Sequence, residues 1–139
     1  MLTQYGVVPL RRTADGRMEV LLITSRDTRR WVIPRGNPIP GKSSVASAAQ
    51  EAFEEAGISG LTEPEPLGRY RYDKRRRDGT SVEAEVLLFR MGVQKIAKHW
   101  PEMSQRERRW FGVEEAACAV HESELAELIR RAGEASSQK

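Results

Sequence analysis

The segment from Ser43 to Gly57 constrains this chain more than any other, because both ends of a helix and both of its faces can be read from it. Ser43 and Ser44 offer side-chain oxygens to the unpaired N–H groups of a helix start, and Gly57 supplies a left-handed stop. Between them Val45, Ala48, Ala49, Ala52, Phe53 and Ala56 recur at helical spacing. At about 100° per residue these six fall within an arc of roughly 140°, and Glu51, Glu54 and Glu55 fall together on the opposite side. The pattern predicts a helix over Ser44–Ala56 with one packing face and one solvent-facing, triply acidic face.

Three like charges at i, i+3 and i+4 cost an isolated helix a few tenths of a kcal/mol per pair. A bound cation turns that repulsion into binding. One cysteine, Cys118, excludes an internal disulfide and a cysteine zinc cluster, and two histidines, His99 and His121, argue against a histidine-based site. Oxygen must then bind any metal, which suits Mg2+, a hard cation that keeps several waters and needs only a few carboxylates plus substrate phosphate. Cys118, on an alanine-rich helix, reads as a small buried hydrophobe, and the two histidines as surface residues.

On either side of the helix the patterning alternates with turns. Tyr5 to Leu10 and Met18 to Thr24 read as strands joined by a hairpin at Thr13–Gly16, and Trp31–Ile33 as a short strand before the loop Pro34 to Gly41. Leu67 to Asp73 and Ser81 to Met91 read as strands flanking the hairpin signal Asp78-Gly79. Gly92 to Arg106 reads as a polar connection, Arg109–Phe111 as a short strand at best, Val113 to Val120 and Ser123 to Ala132 as helices, and Gly133 to Lys139 as a frayed tail. At 139 residues, with no repeat, the expectation is one domain over 1–139. No window approaches a membrane span and the first ten residues lack signal-peptide character, so a cytoplasmic protein is expected.

The charge balance, 23 Lys+Arg against 20 Asp+Glu, is too even to announce nucleic acid. Its distribution is more telling, because Arg69, Arg71 and Lys74 to Arg77 crowd one hairpin while the three glutamates crowd the helix. Such a pair of clusters suits a polyanion bridged by a cation.

Two motifs overlap at the helix. Gly36 to Ser43 fits the G-x-x-x-x-G-K-[ST] phosphate loop, which by itself suggests an NTPase. That loop grips phosphate with consecutive backbone N–H groups, and Pro38 and Pro40 have none. Gly36 to Ile58 also carries a second pattern: Gly, five residues, Glu, seven residues, Arg-Glu, an apolar residue, any residue, Glu-Glu, any residue, Gly, an apolar residue. Gly36, Glu51, Ala52, Glu54, Glu55, Gly57 and Ile58 are in register, while Lys42 and Gln50 stand where Glu and Arg are usual. Here the chain resembles the Nudix hydrolase family. The flanks Arg30–Gly36 and Arg108–Phe111 resemble the diphosphoinositol-polyphosphate phosphohydrolase branch.

The resemblance implies an α/β fold, an α/β/α sandwich around a central mixed sheet, with a catalytic loop and helix. It implies Glu54, Glu55 and the Gly36 carbonyl as metal ligands for Mg2+, with Mn2+ as a substitute, and Glu51 as either a further ligand or the base that deprotonates water. The residues replaced by Lys42 and Gln50 usually brace loop to helix, so a changed brace is expected, with Glu83, Glu85, Glu102 or Glu107 as a carboxylate recruited from outside. Arg26, Arg35, Lys74 and Arg76 are candidate ligands for a polyphosphorylated small molecule; Trp31, Trp110 and Phe111 read as core aromatics. The expected function is hydrolysis of a phosphoanhydride, in a diphosphoinositol or dinucleoside polyphosphate first, with inorganic polyphosphate, nucleoside triphosphates and, as the one nucleic acid, a capped RNA end left open. The rival is a polyphosphate- or nucleotide-binding regulatory domain without turnover, with the NTPase a distant third.

Overall fold

The computed structural model describes residues 1–137. The elements in chain order are β1 (Leu2–Arg12), β2 (Met18–Thr24), β3 (Trp31–Val32), β4 (Arg35–Gly36), α1 (Ser44–Ala56), β5 (Ile58–Thr62), β6 (Gly68–Arg75), β7 (Ser81–Ile96), β8 (Arg108–Gly112), α2 (Val113–Ala119) and α3 (Ser123–Ser137). All eight strands join one mixed sheet. Its centre is the parallel pair β1 and β7, in register from Leu2 beside Ala84 to Leu10 beside Gly92, and the other pairings are antiparallel.

The strand alternation sorts side chains to two layers. Val8, Leu10, Val20, Leu22, Val86 and Leu88 pack with α2 and α3 through Ala116, Leu125 and Ile129. Their neighbours Val7, Leu21, Ile23, Phe89 and Met91 pack with α1 through Ala48, Ala52 and Ala56. The architecture is the expected α/β/α sandwich. No described helix is long and apolar enough to cross a membrane.

One departure from regularity sets up the site. β1 pairs with β2 only over Leu10 to Arg12, and nearer its start it pairs instead with β4, Tyr5 beside Gly36 and Gly6 beside Arg35. The proline-rich segment read as a pure loop therefore contains two residues of strand, and Gly36 is fixed to the sheet. This geometry also removes the NTPase reading, since no central parallel strand leads into α1.

Three further expectations are corrected. Ile58–Thr62 and Gly92–Ile96, not assigned to strands from the sequence, pair as β5 and the end of β7, with a bulge between Ser59 and Gly60. A Cβ on Gly60 would lie 2.0 Å from the Gly92 carbonyl oxygen, so this glycine permits backbone contact that hides the strand pattern. The tail is helical through Ser137, and residues 138–139 lie outside the described residues. Cys118 is exposed, not buried.

Candidate active site

Helix α1 begins and ends as its sequence requires. Ser43 accepts a hydrogen bond from the Ala46 N–H, and Gly57 adopts φ +68° while its N–H caps the Phe53 carbonyl. The other three carbonyls of the last turn are met from the segment before β8 and from its first residue: Glu54 by the Glu102 N–H at 3.1 Å, Glu55 by Trp100 Nε1 at 3.1 Å, and Ala56 by Arg108 Nη1 at 2.8 Å. This stitching brings Glu102 and Arg106 against the acidic side of the helix.

That side is not a solvated face. Glu55 is 8% exposed, Ser47 is fully buried, and Phe53, expected in the core, is 40% exposed. Glu55 Oε1 accepts from the Arg35 N–H at 3.2 Å, and its Oε2 lies 3.4 Å from Arg106 Nη2. Arg106 also donates to Glu102 at 2.7 Å and to the Thr24 carbonyl at 3.1 Å, so one guanidinium ties two carboxylates to the sheet. Burial pushes the Glu55 carboxyl up to about 7, opposed by Arg106 and by the Arg35 N–H. Glu51 is also raised, first by burial and then by the charges of Glu54 and Glu102. Its carboxyl group sits over Gly36, where a Cβ would come within 2.3 Å of it.

Gly36, Glu51 and Glu55 are thus brought together, with Glu54 on the same helix. Of the carboxylates considered from outside the motif, Glu102 arrives. Glu83 and Glu85 pair with Arg71 and Arg69 on the sheet, and Glu107 pairs with Arg29. The donor set is entirely hard oxygen, which fits a cation such as Mg2+. Among the described residues, however, no three acidic side chains converge on one point.

Beside the carboxylates opens a cleft of about 710 Å³, with Glu55 and Arg106 in its lining along with Arg26, Arg30, Arg71, Lys74 and Arg75. Arg35 lines it too, but its guanidinium is committed: it donates to Tyr70 Oη at 2.9 Å and lies 3.8 Å from the centre of the Tyr72 ring. Burial alone would lower its pKa, yet the two phenols more than reverse that, so the charge is held. Arg76 is at the hairpin turn, bonded through its backbone to Thr80 and Gly79, outside the lining. Trp31 and Phe111 meet edge to face at 5.0 Å and Trp110 carries Arg11 on its ring, as core and border residues. Arg106, Tyr70, Tyr72 and Trp100 were not found from the sequence. Only the Tyr-x-Tyr alternation hinted that two phenols share a sheet face.

The NUDIX domain family model matches residues 3–132. The chain belongs to the Nudix family. It is 33% identical over 137 residues to Nudix hydrolase 13, mitochondrial, of Arabidopsis thaliana, covering 90% of this chain and 66% of that one. It is 34% identical over 118 residues to diphosphoinositol polyphosphate phosphohydrolase 3-beta of Bos taurus, covering 81% and 68%. In fold it is similar to a C. elegans Ap4A hydrolase binary complex, with TM-score 0.69, 21% identity and full coverage of both chains. The chain spans roughly half to two thirds of the length of the first curated relatives it matches.

Within this Nudix fold the two departures from the motif have a structural account. Lys42 is exposed and Gln50 half-exposed, and neither braces the loop. Ser47 does so instead, its buried hydroxyl accepting the Ile39 N–H at 3.1 Å, while Arg106 secures the helix end from outside the motif.

Proposed function

We propose that this Nudix chain hydrolyses a phosphoanhydride bond in a polyphosphorylated small molecule, with Mg2+ or Mn2+ held by Glu54, Glu55 and the Gly36 carbonyl and with Glu51 as either a further ligand or the base. The observation that carries the reading is the continuity of one cleft from Glu55 and Arg106 to a wall of Arg26, Arg30, Lys74 and Arg75. Such a wall holds distal phosphates by charge-assisted hydrogen bonds while the acidic end faces the bond to be cut. A bound divalent cation supplies polarisation of a phosphoryl oxygen and acidifies a bound water.

The chain's own groups do the rest. Glu51, raised by burial and by its acidic neighbours, is suited to accept the proton of the attacking water. Arg106 keeps Glu55 and Glu102 from spreading apart, and the Arg35 N–H fixes the orientation of Glu55. Among substrates, a diphosphoinositol polyphosphate and a dinucleoside polyphosphate lead, in keeping with the activities named for two of the similar proteins.

The test is a screen of phosphoanhydrides with Mg2+, following released phosphate or diphosphate, with Glu54→Gln as control. Turnover that falls at least a hundredfold in Glu54→Gln supports the reading; equal turnover in both overturns it. The acidic side chains that do not converge on one point, together with Lys42 and Gln50, favour the second reading, a binding-only regulatory domain. That reading predicts tight polyphosphate binding with no hydrolysis at any metal concentration.

A further inference from the structure

The central strand β1 buries one residue that its apolar layer does not call for. Gln4 is 3% exposed and lies beside Val86 of β7, which has Tyr70 of β6 on its other side. A carboxamide is unfavourable in such a place unless both of its ends are bonded. Both are: Gln4 Oε1 accepts from Tyr72 Oη, and Gln4 Nε2 donates to Asn37 Oδ1 at 3.2 Å. Tyr72 belongs to the lining of the cleft, and Asn37 follows Gly36 directly in the chain.

The register shows what these two contacts do. β1 pairs with β4 at Gly6 beside Arg35 and Tyr5 beside Gly36, so the next positions in line are Gln4 and Asn37. There the ladder stops, and Pro38 has no N–H with which to extend it. A cross-strand pair of side chains takes over where the backbone pairing ends. Strand β4 is only two residues long, yet it carries Gly36 under the Glu51 carboxyl and the Arg35 N–H that fixes Glu55. The Tyr72 hydroxyl sets the sense of the amide, because by occupying Oε1 it leaves the donor end, Nε2, turned to Asn37. The face of the same Tyr72 ring supports the Arg35 guanidinium. We propose that Gln4 is a positioning residue which, through Asn37, clamps the end of β4 where the metal site needs it. This deepens the hydrolase reading, on which it rests for Gly36, Glu51 and Glu55 as parts of that site.

The test reads metal binding itself. Mn2+ is titrated into the full chain without substrate, and the free ion is followed by electron paramagnetic resonance. The variants are Gln4→Met, which keeps the side-chain length and removes both polar ends, Asn37→Ala, and the two combined, each checked by thermal melting. Each single change should weaken Mn2+ binding about tenfold, the lower end of what outer partners of a metal site contribute. The double variant should lose no more than either alone, since both changes break one contact. Affinity for inorganic tetrapolyphosphate, measured by calorimetry in EDTA, should stay as in wild type. Unchanged Mn2+ affinity in a folded Gln4→Met overturns the inference. So do losses that add in the double variant, as for a glutamine that only packs, and a fall in tetrapolyphosphate affinity as large as the metal loss, as for a glutamine that touches substrate. Should Gln4→Met not fold, Tyr72→Phe takes its place under the same criteria, keeping the ring beneath Arg35 and removing only the hydroxyl. The hydrolase reading is judged separately by Glu54→Gln, which should lose Mn2+ binding and turnover whatever Gln4 does.

Discussion

Gly36→Ala separates geometry from stability at this site. Gly36 does not have positive φ, so alanine meets no backbone strain. What it meets is Glu51: the new Cβ would lie 2.3 Å from the carboxyl carbon, and ordinary contact begins near 3.4 Å. The carboxyl group must therefore retreat by about 1 Å, and a displacement of that size in a reacting constellation is worth on the order of a hundredfold in rate. Folding loses little, because the clashing atoms are the far end of a half-exposed side chain with room to turn, and such changes stay within roughly 0.5 kcal/mol. The assay is Mg2+-dependent turnover at saturating substrate beside a thermal melt. The expected result is kcat down about a hundredfold with Tm within about 2 °C of wild type. Full activity, or a loss of Tm that accounts for the loss of activity, would refute the placement of Glu51 over Gly36.

Other perturbations test other contacts. The raised pKa of Glu55 means that the metal-free native state binds a proton between the unfolded value of 4.5 and about 7 that the unfolded chain has released, so its stability should fall as pH rises through that window, by about 3 kcal/mol at most, and Glu55→Gln should flatten this part of a Tm-against-pH curve. Arg106→Met leaves two buried or half-buried carboxylates without their shared cation; it should cost about 3 kcal/mol, seen in urea denaturation, and lower turnover as well. Lys74→Ala should raise KM for polyphosphates several-fold with kcat nearly unchanged, whereas Arg76→Ala, at the turn, should leave both KM and kcat unchanged in the same assay. Lys42→Ala should keep most of the turnover, since Lys42 is exposed and takes no part in the brace; a loss like that of Glu54→Gln would make it a substrate ligand.

The helix, its caps, the two hairpins and the central strands were legible because each is written locally, in caps, turn residues and alternation. The orientation of α1 was not. Its alanines and Phe53 mark one stripe, but the residues actually covered, Ser47, Ala48, Ala52, Glu55 and Ala56, centre about 80° away at 100° per residue. The segments at Pro34–Gly36 and Trp100–Arg106 pack over the glutamate side, and nothing in a helical period reports what a distant loop will cover. The same limit hid Arg106, one arginine in a polar connection whose importance comes from three partners at positions 24, 55 and 102. Gly60 hid β5 by the opposite route, since the close approach that a glycine permits erases the apolar alternation by which strands are recognised.

The parallel pairing of β1 with β7 also orders events during synthesis. Leu2 waits for Ala84 and Leu10 for Gly92, so β1 is left without its main partner until more than eighty further residues have followed. At about 5 to 20 residues per second that wait lasts several seconds, with Val7 and Val8 open to the surroundings meanwhile. Gly36 is fixed to the sheet only through β4 on β1, so a nascent chain can carry the whole acidic helix and still have no site. Chains halted before residue 92 should be protease-sensitive and aggregation-prone, because closing a loop of that length is the late and costly contact of this topology.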